Sequence, residues 1–198
     1  MKLLGRPNNA LRPQVQAIAA LALAGLVLAI PCPAAAEDNP MAPGEQGKLA
    51  CYKPNVERKT CWVIIALKSL GDGKYETKVR ARFHNTSDYE TRYTTTMAWK
   101  DGRFCNKLDK AQYERAQFFH LGDEVIKQDL EDLRNSILDQ AKNDFGKEFC
   151  DSYEAPDAKG LIKLKAYVDG VEQAPGTSIE TMMWISPDDG YKLRPSPE

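Results

Sequence analysis

Hydrophobic and polar residues alternate along two stretches in the first half of the chain. From residue 75 to residue 84 one face carries Tyr75, Thr77, Val79, Ala81 and Phe83, while the other face is mostly charged. Residues 89–99 repeat the alternation. A period of two predicts half-buried antiparallel strands. The preceding run, residues 61–67, is apolar at nearly every position, which predicts a strand buried on both faces.

The period changes in the middle of the chain. Residues 108–120 predict a short helix, and a second, longer helix is predicted from Asp123 to the glycine at position 146. The longer helix has one apolar stripe, formed by Ile126, Leu130, Leu133, Ile137, Ala141 and Phe145. Such a stripe suits a helix lying across a sheet, and a dimeric coiled coil is the alternative.

Strand patterns return after residue 160. Residues 161–168 alternate again, residues 179–185 form another apolar run, and residues 191–193 form a short closing segment. The order of strands, helices and strands predicts an α+β fold. We therefore expect an antiparallel sheet of hairpins with one long amphipathic helix, plus a shorter one, packed on a face, and two disulfides.

The first 36 residues have the three-part pattern of a secretory signal peptide. Three basic residues precede 14 apolar residues (17–30), and a run of alanines ends at Ala36. The apolar run is shorter than the ~20 residues that span a bilayer. We predict cleavage after Ala36 and a periplasmic or secreted, soluble protein without a transmembrane segment. A lipoprotein anchored at Cys32 is the alternative, although Pro31 precedes that cysteine instead of a small residue.

The expected domain organisation follows from this leader. Residues 1–36 are the signal peptide, residues 37–50 are rich in Pro and Gly and predict a flexible N-terminal segment, and residues 51–195 form a single α+β domain.

Four cysteines remain after the predicted cleavage, which suits an oxidising compartment. They allow three connectivities. The pairing Cys51–Cys61 with Cys105–Cys150 is favoured, because the first closes a short loop and the second brackets the helical region. No CxxC spacing is present and no histidine lies near a cysteine, so we expect neither a metal site nor a redox pair.

Charge and motifs limit the function. The leader holds three of 27 basic residues and no acidic one, which leaves 24 against 28 and a net charge of −4. This balance argues against nucleic-acid binding. Neither a GxSxG elbow nor a glycine-rich phosphate loop occurs, so we expect no catalytic residue and no cofactor. The alternative is an exported hydrolase of unrecognised type that uses a carboxylate or a histidine, His84 or His120, as its base.

A basic sheet face is the strongest candidate site. Lys78, Arg80 and Arg82 alternate along one strand, and Arg92 joins them if the strands at 75–84 and 89–99 pair. Guanidinium groups suit phosphate, sulfate or carboxylate. We therefore expect a non-catalytic binding or accessory protein of the cell envelope, whose partner is an anionic glycan, a lipid headgroup or a protein. The plainer interpretation is that these charges only keep the outer sheet face hydrated.

Overall fold

The structure, a computed structural model, describes residues 39–82, 89–126, 128–176 and 179–194. All of them belong to the second of two compact units, Asp38–Glu198. The helices are α1 (Ala42–Glu45), α2 (Lys110–Glu114) and α3 (Gln128–Ala141), with a 3₁₀ turn at Pro187–Asp189. The strands are β1 (Leu49–Tyr52), β2 (Thr60–Cys61), β3 (Val63–Gly71), β4 (Lys74–Arg82), β5 (Tyr89–Lys100), β6 (Arg103–Lys107), β7 (Gln117–His120), β8 (Asp123–Glu124), β9 (Glu148–Tyr153), β10 (Leu161–Val168), β11 (Val171–Glu172), β12 (Thr181–Ile185) and β13 (Lys192–Leu193).

Eight of these strands close into an antiparallel up-and-down barrel. Strands β1, β3, β4, β5, β6, β9, β10 and β12 each pair with the next in chain order, and every pairing is antiparallel. The last strand then pairs with the first, with Leu49 opposite Ile185. This closure leaves no free edge among the eight strands.

The α+β prediction is wrong. The alternation of β4 is real, since Tyr75 and Val79 are only 2% and 5% exposed. However, the apolar face of the sheet is covered by the opposite wall of the barrel. A closed sheet buries one face without a helix, so the helices are not needed for the core.

The two helices predicted in the middle of the chain also differ from the observed ones. Only residues 110–114 of the first are helical, and residues 117–120 form β7, which pairs with β5 through Thr91 opposite Phe118. Phe118 is fully buried in this strand pair. The second helix is shorter than predicted, and it packs against α2 instead of lying across a sheet face.

The barrel interior holds the main core. Residues that lie opposite each other on neighbouring strands point to the same side of the sheet around all eight strands. Those that point inward form two clusters of buried residues. One cluster comprises Ala50, Tyr52, Ile65, Val79, Ile162, Leu164 and Met182. The other comprises Met41, Tyr75, Met97 and Phe104.

Helix α1 covers the end of the barrel that carries the β3–β4 and β5–β6 turns. Met41 is 1% exposed, and the Tyr75 hydroxyl donates to Glu45 Oε1 at 2.7 Å. Gly44 is needed for this approach, since a Cβ there would lie 2.6 Å from Leu67 Cδ1. Residues 39–50, part of the segment predicted to be flexible, therefore contribute to the described fold.

A second, smaller cluster lies on the outside of the barrel. It contains the Cys51–Cys61 disulfide, Ile64 and Ile185. Ile64 faces outward into this cluster, and its neighbour Ile65 faces the interior. The prediction of a strand buried on both faces is confirmed. The second disulfide joins Cys105 of β6 to Cys150 of β9, which are directly opposite one another.

Candidate functional site

The described part of the barrel interior has one carboxylate at its inward strand positions. Asp151 of β9 lies between Phe104 of β6 and Ala166 of β10 in the register. Its sequence neighbours on β9 face outward, since Cys150 forms the external disulfide, and Tyr153 shares the inward face. At the inward positions of the barrel strands, within the described ranges, no other Asp, Glu, Lys or Arg occurs.

Two tyrosines accompany this carboxylate. Tyr52 comes from β1 and Tyr153 from β9, and their hydroxyl oxygens lie 3.0 Å apart, within hydrogen-bond distance. The residues are 101 positions apart in sequence, so only barrel closure brings them together. A phenolic hydroxyl both donates and accepts, so this pair retains bonding capacity for a third polar group.

Burial controls the ionisation of the three groups. Desolvation raises the pKa of Asp151 from 3.8 to about 7, with no favourable charge beside it. The pKa values of Tyr52 and Tyr153 are also raised, chiefly by burial, and the negative charge of Asp151 adds to the rise at both. Within the described residues, the Asp151 side chain takes part in no ion pair and no side-chain hydrogen bond.

Aromatic rings line the interior around these polar groups. The ring centroids of Trp99 and Tyr153 are 6.2 Å apart, and those of Tyr75 and Phe104 are 5.5 Å apart. Small residues occupy other inward positions, including Ala50, Thr77, Ala81 and Ala166. At the described inward positions, the interior thus combines aromatic faces and small side chains with the acidic group of Asp151.

Sequence reasoning missed this site because it missed β9. Strand β9 has only six residues, and two of them, Asp151 and Ser152, are poor strand formers. The available signal was the alternation of Phe149, Asp151 and Tyr153 beside the expected disulfide at Cys150. That period places an acidic residue on the same face as two aromatic residues.

The basic face predicted from sequence does form on the outside of the barrel. Lys78, Arg80 and Arg82 lie on the outer face of β4, and Arg92 lies directly opposite Arg80 on β5. The inferred pairing of these two strands is confirmed. However, the sequence did not reveal which of these cations already have partners.

Glu90 occupies much of this basic face. It accepts from Arg80 Nε at 2.7 Å and from Arg92 Nε at 2.5 Å. Burial alone would raise the pKa of Glu90, but these two guanidinium groups lower it below its ordinary value. The Arg92 guanidinium also lies 3.6 Å from the centroid of the Phe119 ring. Arg80 and Arg92 are therefore both engaged by Glu90.

The remaining part of the basic face borders a shallow concavity. Arg82 donates to the carbonyl oxygen of Arg194 at 2.6 Å. Beside it lies a depression of about 260 Å³, lined in part by Arg80, Arg82 and Lys192 and also by the acidic residue Glu90. This depression is the part of the basic face most suited to hold an anion.

The histidines provide no assembled catalytic group in the described structure. His120 ends β7, where its ring stacks on Tyr89 with centroids 4.6 Å apart. No hydrogen bond joins the His120 imidazole to a carboxylate among the described residues. His84 lies outside the described residues.

One grouping has the composition of a metal site. Cys105, Cys150 and Glu148 lie close together on β6 and β9. Both sulfurs are consumed by the disulfide between these cysteines, so they are not thiolate ligands. Glu148 instead forms an ion pair with Lys100 at 2.6 Å.

Comparison with protein-family models, with curated proteins and with solved structures finds no match for this chain. The fold therefore defines the class, an eight-stranded antiparallel up-and-down barrel with two disulfides. No helix in the described ranges is long and apolar enough to cross a lipid bilayer.

Proposed function

We propose that this chain is an exported, non-catalytic binding protein that holds a small molecule inside its barrel. The observation that carries the proposal is the interior carboxylate of Asp151, which has neither an ion-pair partner nor a side-chain hydrogen bond among the described residues. A carboxylate that faces a barrel interior without a partner is costly, and proteins keep such groups mainly where they serve a function.

The size of the barrel supports this proposal. Eight strands enclose a space that is either filled by side chains or holds one small ligand. Here several inward positions carry Ala or Thr, and the buried Oγ1 atom of Thr91 has no hydrogen-bond partner. A lining of apolar and aromatic side chains with a few polar groups is typical of a ligand site.

Export is part of the proposal. The two disulfides are compatible with an oxidising compartment, where such bonds persist. The leader-like pattern of residues 1–36 adds a reason to place the protein in the periplasm or outside the cell, with cleavage after Ala36.

The test is a titration of the disulfide-bonded protein with three small aromatic probes: 2-phenylethanol, phenethylamine and 3-phenylpropionate. Binding is followed by calorimetry and by the fluorescence of Trp99 and Trp184, which pack in the barrel interior. We expect at least one probe to bind. Ala166→Phe, which places a bulky ring directly opposite Asp151 in the register, should weaken that binding at least tenfold.

The matched control is Lys165→Phe, which adds the same ring to the adjacent, outward position of β10. Lys165→Phe should bind like the wild type. Failure of all three probes to bind, or equal weakening by both variants, would overturn the interior site.

The concavity on the outer basic face supports a second candidate, contact with an anionic glycan, lipid headgroup or protein. Arg80, Arg82 and Lys192 border this depression, and a guanidinium pair beside an ammonium suits a phosphate or carboxylate group. Reversing the charge of Arg80 and Arg82 and measuring retention on an anionic polymer tests this contact.

A further inference from the structure

The charge inside the barrel is unbalanced among the described residues. Asp151 is the one charged residue at their inward strand positions, and the groups that interact with it electrostatically are the neutral phenols of Tyr52 and Tyr153. No lysine, arginine or histidine contacts its carboxylate in the described structure. Such a carboxyl group must either take up a proton or be neutralised by a cation that comes from outside the fold.

The surroundings of Asp151 suit an organic cation. Phe104 is its cross-strand neighbour, and the rings of Trp99 and Tyr153 line the same interior. The face of an aromatic ring attracts a positive charge, and this attraction strengthens when water is excluded. The Tyr52 and Tyr153 hydroxyl oxygens, 3.0 Å apart, also offer acceptor lone pairs for an ammonium group.

An anionic ligand is disfavoured at the same place. It would bring a second negative charge next to Asp151 in a desolvated interior, where repulsion between like charges is strong. A neutral ligand would leave Asp151 either protonated or without a counter-charge. Of the three ligand classes, only a cation balances the ionised carboxylate.

We propose that the interior site is specific for a small organic cation, a protonated amine with an apolar body, and that the Asp151 carboxylate binds its ammonium group. This inference rests on the proposed function, since it assigns a ligand class to the same interior site. The aromatic faces hold the apolar body and the charge together, while the two tyrosine hydroxyls accept additional hydrogen bonds.

The test compares the same three aromatic probes, which have similar shape and differ in charge. At pH 8 we expect phenethylamine to bind about tenfold or more tightly than 2-phenylethanol, because it adds a charge-assisted hydrogen bond. The anionic 3-phenylpropionate should bind most weakly. Equal affinity for the amine and the alcohol would overturn the inference, and so would preference for the acid.

The pH dependence provides a readout that needs no variant. The amine stays protonated below pH 8, while burial sets the pKa of Asp151 at about 7. Lowering the pH from 8 to 5 then cuts the ionised fraction, and with it the affinity for phenethylamine, by roughly a hundredfold. Affinity for 2-phenylethanol should remain constant over this range. An amine affinity that does not change with pH contradicts the role of Asp151.

Asp151→Asn removes the charge and preserves the shape. This variant should lose phenethylamine affinity by about tenfold or more and keep 2-phenylethanol affinity within about twofold. The control Asp101→Asn makes the same chemical change at an exposed hairpin turn, where φ is +50° and Asn is well tolerated. If Asp151→Asn binds the amine like the wild type, the inference fails. If no probe binds the wild type, the proposed function itself fails.

Discussion

Asp151 and Glu90 are carboxyl groups on opposite faces of one barrel wall, and their pKa values shift in opposite directions. Desolvation dominates at Asp151 and raises its pKa to about 7. At Glu90 burial also acts to raise the pKa, but the guanidinium groups of Arg80 and Arg92 lower it. The comparison shows that partial burial alone does not define a binding site. What distinguishes Asp151 is burial without a partner among the described residues.

The largest expected effect concerns the stability of the Asp151→Asn variant. The folded-state pKa of Asp151 is raised from 3.8 to about 7, so the folded protein binds this proton more tightly than the unfolded chain. The wild type should therefore lose stability as the pH rises from about 4 to 7. At pH 8 Asp151→Asn should be more stable by on the order of 4 kcal/mol.

Urea denaturation of both proteins between pH 3.5 and pH 8 measures this difference. At pH 3.5 the two stabilities should converge, because Asp151 is protonated in both the folded and the unfolded wild type. Asp101→Asn controls for the loss of one acidic residue at the surface. A wild type as stable as Asp151→Asn at pH 8 would show that Asp151 is not desolvated.

The second expected effect concerns the disulfide on the outer side of β9. Replacing Cys105 and Cys150 with Ala removes the bond that closes 45 residues and should cost about 3 kcal/mol, mainly by releasing the unfolded chain. The barrel pairing of β6 with β9 should persist. Adding Asp151→Asn to this double variant should increase its stability at pH 8 by the same amount as in the wild type. If the increase disappears, the disulfide itself holds Asp151 in its desolvated position.

The third effect tests Glu90 as a paired carboxylate. Glu90→Gln should lower stability at pH 7 by about 1 kcal/mol, a small cost because Arg80 and Arg92 are largely solvated. Since the folded pKa of Glu90 is depressed, its contribution is present above the unfolded value of 4.5 and is lost as the pH falls through the folded pKa. Thermal denaturation between pH 2.5 and pH 7 measures it.

Glu76→Gln is the matched control for this third prediction. Glu76 lies on the same outer face of β4, opposite Thr96 of β5. Its replacement should change stability by less than about 0.5 kcal/mol. Equal effects of Glu76→Gln and Glu90→Gln would show that the two arginines do not stabilise Glu90.

The smallest expected effect concerns the basic face. A double variant, Arg80→Glu with Arg82→Glu, should elute from an anionic resin at a modestly lower salt concentration than a control double variant. The control, Lys163→Glu with Lys165→Glu, makes the same charge change on the outer face of β10. Equal elution of the two double variants would mean that retention follows net charge alone and that the basic face has no special role.

Local pattern predicted several elements of this barrel correctly. The alternation of β4 and β5 identified two strands with one buried face, and these strands pair as expected. Both cysteine pairs form as the sequence favoured. These features depend on the pattern of residues close together in the chain or on the order of segments along it. Both can be read from the sequence.

Closure of the sheet was not predictable in the same way. It depends on β1 pairing with β12, and the four residues of β1, Leu-Ala-Cys-Tyr, show no alternation that would identify their face or their partner strand. Similarly, residues 117–120 have an apolar pattern compatible with a helix, but pairing with β5 makes them a strand. The candidate site was missed for the same reason, because Tyr52 and Asp151 become neighbours only when the barrel closes.

The Cys105–Cys150 bond has a consequence for how this protein can vary. The chain leaves the barrel after Lys107 at the end of β6 and returns at Glu148 at the start of β9. The disulfide joins these two strands, so it links the two ends of the intervening segment that contains α2 and α3. Strand β7 of this segment pairs with β5 and buries Phe118, so its exchange would disturb the wall. Helix α3, Gln128–Ala141, makes no strand pair and is therefore the natural place to graft a foreign loop onto this scaffold.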